Sequence, residues 1–386
     1  MKKIRLRVNV LSCYLDNAAT TALSAEMKEY LISALDVFGN PSSAHSEGSK
    51  ANKLVEKVRE NVATFMNSNG SENIYFTSSG SASNSLGIQG FILANRCDIL
   101  YSPTTHKSVL KTIDNLAEFY GINANKLKVD SFGNIDVSYL ERLLETRNKG
   151  ALVVVEHANS EIGTVQDIKT ISNIVHRYNG RLFVDCTGSV STVPLDVMDW
   201  NVDMATFSAH KIGALKGVGV LYKKADITML PLVFGSQEQG LFGGTENVLG
   251  ILSLGKAIDL LDYNKTSYNR DFVWNSLKNI DGVSLIGAPL NKNRLINNLY
   301  ICIKGVKGTD IAALIDDVYR IQISTGSACN NGSSTPSSTA LAIGLSEEEA
   351  NSCVRISFSG NETEDELKKF CKNFSTCIKM LRDLND

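Results

Sequence analysis

The chain has 386 residues, 43% hydrophobic and 21% charged, enough for one large core plus a smaller one and ordinary for a globular enzyme. Its 39 basic and 41 acidic residues leave a net charge of −2, which gives no footprint for nucleic acid or an anionic membrane. No apolar run is long enough to span a bilayer, and the eight cysteines form no CxxC pair, so a zinc site or disulfide framework is not expected.

Residues 1–10 alternate polar and apolar side chains, which reads as a strand and lacks the apolar stretch of a signal peptide. Reduced thiols in a cytoplasm are the simplest reading of the cysteines. Buried strands are expected at 74–77, 99–102, 152–156, 182–185 and 204–208, separated by helical patterns. That alternation predicts an α/β domain with a mostly parallel sheet, whose ligands gather at the C-terminal strand ends. Beyond about residue 260 the pattern changes, with strands at 299–303 and 353–358. A final helix opens on the capping box Thr363-Glu364-Asp365-Glu366 and carries Leu367, Phe370, Cys371, Phe374, Ile378 and Leu381 at helical spacing. The expected division is a large domain over 14–260 and a small one from 1–13 with 261–386.

Three segments carry chemistry. Asp203-Met204-Ala205-Thr206-Phe207-Ser208-Ala209-His210-Lys211 is an apolar strand ending in Ser-x-His-Lys. A lysine there is costly to bury as a cation, and a lowered amine pKa suits Schiff-base chemistry. Ser208 and His210 offer donors suited to a phosphate. Phe183-Val184-Asp185 places a carboxylate at a second strand end, where it can pair with a pyridinium nitrogen. Cys329 sits in a Gly/Ser/Asn-rich loop, about 324–336, with nothing to pack against, so its sulfur is expected to react. Packing explains Cys186, Cys371 and Cys377 better, and structural roles for His45 and His157 are as well founded as functional ones.

Together these segments resemble the class V aminotransferase-like family, in its group I (NifS/IscS-type) cysteine desulfurase branch. The resemblance runs from about residue 13 to 380. It extends through Tyr14-Leu15-Asp16-Asn17-Ala18-Ala19-Thr20-Thr21, Gly39-Asn40-Pro41-Ser42-Ser43-Ala44-His45, Thr104-Thr105-His106-Lys107, Asn159-Ser160-Glu161-Ile162-Gly163, Gly243-Gly244-Thr245-Glu246-Asn247 and Val354-Arg355-Ile356-Ser357-Phe358. It implies fold type I of the pyridoxal-phosphate (PLP) enzymes: a large domain with a mostly parallel seven-stranded sheet and a smaller α+β C-terminal domain. It implies L-cysteine as substrate, alanine as product and a persulfide on Cys329 for a sulfur-acceptor protein. It casts Lys211 as the cofactor-bound amine and α-proton base, Asp185 as partner of the ring nitrogen, and His106 as a ring-stacking group and proton carrier. Ser81, Ser208, His210 and Thr245 are expected near the phosphate, with Thr245 serving the other subunit of a homodimer. Asn159 is expected near the ring hydroxyl and the substrate, and Arg355 at the substrate carboxylate.

The sequence departs from the family pattern at three places. Ser79-Gly80-Ser81-Ala82-Ser83 keeps a hydroxyl at Ser81 but has Ala82 where an acid is usual. Gly188 replaces a glutamine that hydrogen-bonds the ring oxygen, leaving that contact to Asn159 alone or with a water. Phe242 replaces an arginine. A divergent desulfurase suggests a dedicated acceptor pathway, with iron–sulfur assembly, tRNA thiolation and DNA phosphorothioation all open. The alternatives are another PLP lyase, such as a selenocysteine lyase, and a catalytically silent sulfur-relay scaffold.

Overall fold

The computed structural model describes residues 13–147, 150–265, 267–326 and 336–385. The strand read at 1–10 and the Cys329 segment lie outside the described residues.

The strands, in chain order, are β1 (Cys13–Tyr14), β2 (Ile74–Thr77), β3 (Asp98–Tyr101), β4 (Ala124–Lys126), β5 (Ala151–Glu156) and β6 (Arg181–Asp185). They continue as β7 (Met204–Ser208), β8 (Gly219–Lys223), β9 (Val283–Leu285), β10 (Asn298–Ile303), β11 (Ile321–Gln322) and β12 (Cys353–Ser357). Seven form one sheet in the order β2-β8-β7-β6-β5-β3-β4, parallel except where β8 runs against β2 and β7. The expected α/β architecture and seven-stranded sheet are therefore present. Its central strands are apolar and buried because helices cover both faces. Successive side chains point to opposite faces, so Val153, Val155 and Val184 join one core while Leu152, Val154 and Phe183 join the other. Helices Ser46–Phe65 and Val248–Leu260 pack on the first face, and Lys107–Tyr120 on the second.

A second core gathers around the antiparallel sheet β12-β10-β9, with helices Tyr268–Leu277, Gly308–Tyr319 and Glu364–Asn385. The capping box is formed: Thr363 Oγ1 accepts from the Glu366 amide at 3.3 Å, and the Glu366 carboxylate accepts from the Thr363 amide at 2.8 Å. Leu367, Phe370, Cys371, Phe374 and Ile378 are buried, as their spacing predicts. The segment after β1 runs between the two cores. Asn17 and Leu15 exchange backbone hydrogen bonds with Ser357, while Thr21 bonds to the carbonyls of His210 and Lys211.

Candidate active site

Three parallel strands end together. β5 stops at Glu156, which pairs in register with Asp185 at the end of β6, and Asp185 pairs with Thr206 near the end of β7. This edge borders a cleft of two joined chambers, about 1080 and 910 Å³ counting their open mouths, at the size of small-molecule sites. Ala19, His106, Glu156, Ser160 and Lys211 line both chambers.

Asp185 is buried. Its Oδ1 accepts from the Thr187 amide and its Oδ2 from Asn84 Nδ2, both at 2.8 Å, and no ion pair reaches it among the described residues. Asn84 is itself fixed, accepting from Thr206 Oγ1 at 2.5 Å and donating to Ser108 Oγ at 3.1 Å. Lys211 sits in the tight turn Ala209–Ile212 after β7, and its Nζ donates to the carbonyls of Ala18 at 2.5 Å and Ala19 at 3.0 Å. His106 caps the helix Lys107–Tyr120, its Nδ1 accepting from the Ser108 amide at 3.1 Å. Burial chiefly holds the His106 pKa below the usual imidazole range; Asp185 opposes that shift, and Lys211 and Lys107 add to it.

Gly80, Ser81, Ser208 and His210 line the first chamber with Asp185 and Lys211. A Cβ at residue 80 would come within 2.9 Å of the Ser208 side chain, so glycine keeps this cradle open. His210 shares a hydrogen bond with Thr20 Oγ1 at 3.1 Å and is pushed down to about 4 by burial, with Lys211 and Lys216 repelling its charged form. It is therefore neutral near pH 7.

Arg355, on β12, lines the second chamber with Asn159 and Glu161. Its Nη2 donates to Asp16 at 2.7 Å, its Nη1 to the Ser160 carbonyl at 3.3 Å, and its buried Nε has no protein partner. Asn159 is saturated. Its amide donates to the Thr104 carbonyl and to Glu156 Oε1, each at 2.9 Å, while its oxygen accepts from the Glu161 and Ile162 amides. In this arrangement Asn159 has no donor left for a ligand. Glu161 is raised above the usual carboxylate range by burial, against the Ser337 hydroxyl bond and the pull of Arg355 and Lys107.

The cleft thus brings together Lys211, Asp185, His106, Ser81, Ser208, His210, Asn159 and Arg355. Thr245 is not among them: it lines a separate cavity with Phe242 and Glu246. Cys329 lies outside the described residues, but Gly326 on one side of its segment and Ser338 on the other line the Arg355 chamber. His45 caps the helix Ser46–Phe65, and buried His157 shares a hydrogen bond with Ser189 Oγ at 2.9 Å and packs its ring at 59° to Trp200; neither lines the cleft. Sequence reasoning missed Asn84, Glu156 and Glu161. Glu156 did carry a signal, an acid closing an otherwise apolar strand beside Asp185.

The donor set fits pyridoxal phosphate. A buried carboxylate without a cation suits a ring nitrogen, an amine suits a carbonyl carbon, and a cradle of hydroxyls with an open glycine suits a phosphate. No metal-binding group of His, Cys, Asp or Glu occurs among the described residues.

Known proteins resemble this chain over nearly its whole length. Cysteine desulfurase IscS 1 of Archaeoglobus fulgidus is 32% identical over 385 residues, covering 96% of this chain and 98% of that protein. A solved NifS-like protein superposes with a TM-score of 0.86 at 29% identity, covering 95% of this chain and 99% of that one. A structure described as SspA in complex with cysteine superposes at 0.78 with 30% identity, covering 91% and 100%. Residues 13–370 match the family described as aminotransferase class-V, and the extent of that match together with these relatives establishes that this chain belongs to it.

Proposed function

We propose that this chain is a PLP-dependent cysteine desulfurase that converts L-cysteine to L-alanine and collects the sulfur as a persulfide on Cys329. The observation that carries the reading is the grouping of Lys211, Asp185, His106 and Arg355 around one cleft, with Gly326 on its border. Cys329 follows Gly326 by three residues in the sequence.

When bound, the cofactor supplies an electron sink for the substrate's α-carbon. Lys211 holds the cofactor carbonyl and, once released, takes the α-proton. Asp185 balances a protonated ring nitrogen. Ser81, Ser208 and neutral His210 hold the phosphate. Arg355 orients the substrate carboxylate from the wall of the second chamber. His106 takes the substrate thiol proton, consistent with its lowered pKa. The Cys329 thiolate then forms an S–S bond to the substrate sulfur as the C–S bond breaks. The bonding pair stays with carbon, which gains a proton to give alanine, and the sulfur leaves as a sulfane atom on Cys329. A sulfur-acceptor protein would then take it. We also propose a homodimer in which Thr245 completes the partner's phosphate site; its position outside the Lys211 cleft of its own chain supports this. Among the described residues no helix is long and apolar enough to cross a membrane.

The test is incubation with L-cysteine and PLP followed by mass spectrometry of the Cys329 peptide. One added sulfur per site is expected, with alanine in the supernatant, and Cys329→Ala should abolish sulfur release. A Cys329→Ala protein that still releases sulfur at the wild-type rate would overturn the reading.

A further inference from the structure

Glu156 is a buried acid in the wall shared by the two chambers, and the mechanism above does not use it. The PLP ring carries its nitrogen opposite its carbonyl carbon, with the phosphate arm on one side of that axis and a hydroxyl on the other. With Asp185 at the nitrogen, Lys211 at the carbonyl and the serine cradle at the phosphate arm, the hydroxyl must turn to the remaining wall. That wall is the end of β5 with Ala158, Asn159, Ser160 and Gly188. Ala158 and Gly188 have no side-chain donor and Asn159 has spent both of its own, which leaves the Ser160 and Thr187 hydroxyls and Glu156. Glu156 pairs with Asp185 across adjacent parallel strands, and both line the first chamber.

We infer that Glu156 is a cofactor-binding residue whose carboxyl group donates a hydrogen bond to the ring oxygen of PLP. The inference rests on the cofactor assignment above and goes beyond it, because the acid belongs to this chain's own wall. Its protonation follows from its surroundings. Burial is the main cause, and Asp185 on β6 and Glu161 after β5 repel a second negative charge. Hydrogen bonds from Asn159 and Thr104 pull the other way, and the result is a pKa pushed up to about 8. His106, Lys107, His210, Lys211 and Lys216 are the cationic or titratable groups on the facing elements, and Arg355 lies in the second chamber. A buried carboxylic acid that keeps its proton needs an acceptor for it. Asn159 binds Oε1 as a donor, so it cannot be that acceptor; the Thr104 hydroxyl, which shares a hydrogen bond with Ser102 Oγ at 2.8 Å, and the cofactor oxygen can.

The experiment measures PLP dissociation constants by absorbance titration from about pH 6.5 to 9.5 for wild type, Glu156→Gln, Glu156→Met and Ser160→Ala. Below about pH 8 Glu156 is protonated and donates, and above it the carboxylate repels the ring oxygen, so wild-type affinity should fall as pH rises through that value. Glu156→Gln keeps a donor and should lose this pH dependence while binding within about threefold of wild type near pH 7. Glu156→Met should bind on the order of tenfold more weakly. A Met variant with wild-type affinity and pH profile would overturn the inference, as would loss of the profile in Ser160→Ala. If the Met variant does not fold, the Gln profile decides alone. A wild type that never develops a cofactor band would instead overturn the cofactor assignment itself.

Discussion

At the scale of single residues, the site depends on side chains that hold the acids in place. Asp185 has no cationic partner among the described residues, and Asn84 fills one of its oxygens while being held by Thr206 and Ser108. Asn84→Ala should leave that oxygen and the Thr206 hydroxyl unsatisfied in a buried place, costing about 1–3 kcal/mol. We expect weaker cofactor retention, read as faster PLP loss on dialysis, and a lower urea midpoint of the apoprotein. Asp185 and Lys211 were legible in the sequence because a charged residue that closes an apolar strand breaks a strong pattern. Asn84 was not, since an asparagine in a serine-rich helix start breaks nothing. Arg355 and His106 were legible through family resemblance, because a single arginine or histidine is more often structural. In the fold the Thr104 carbonyl and Glu156 take both donors of the Asn159 amide, a pairing that no local pattern in the sequence shows.

At the scale of elements, the long apolar strands were readable and the short ones were not. β5, β6 and β7 are buried runs of five or six residues whose composition marks them. β1, β4, β9 and β11 have only two or three residues each, too few for any period to show. Close approach between elements was equally hidden. A Cβ at Gly188 would lie 2.2 Å from the Ala158 carbonyl oxygen, so the loop after β6 rests directly on the loop after β5. Seen from sequence, glycine there was a missing glutamine; in the fold it is the contact that seats the wall carrying Glu156 and Asn159. Gly188→Ala should therefore destabilise the protein by about 1–3 kcal/mol, measurable as a fall in Tm, rather than restore a lost function.

At the scale of the whole molecule, distant segments are fastened to one another by buried polar links. Arg59, from the helix Ser46–Phe65, holds Glu238 through two hydrogen bonds at 2.7 and 3.0 Å, and Glu238 also accepts from the Phe76 amide at 2.8 Å. Glu238 and Gln239 both adopt left-handed backbone angles, so the link fixes a bend before the segment bearing Thr245. Glu238→Ala would leave Arg59 with the half-exposed Glu56 and the Ile74 carbonyl and the Phe76 amide without its acceptor, and should cost about 1–3 kcal/mol. If Thr245 serves a partner subunit, the same change should shift gel-filtration elution toward the monomer. The link between Asp16 and Arg355 has another consequence, because 339 positions separate them. A ribosome adding about 5–20 residues per second needs roughly 20 to 70 s to pass from one to the other. Before that interval ends Asp185 and Lys211 have been made, while Asp16 still lacks the arginine it will hold. Assembly of the site on a growing chain is thus ordered in time, with its cofactor side completed before its substrate side.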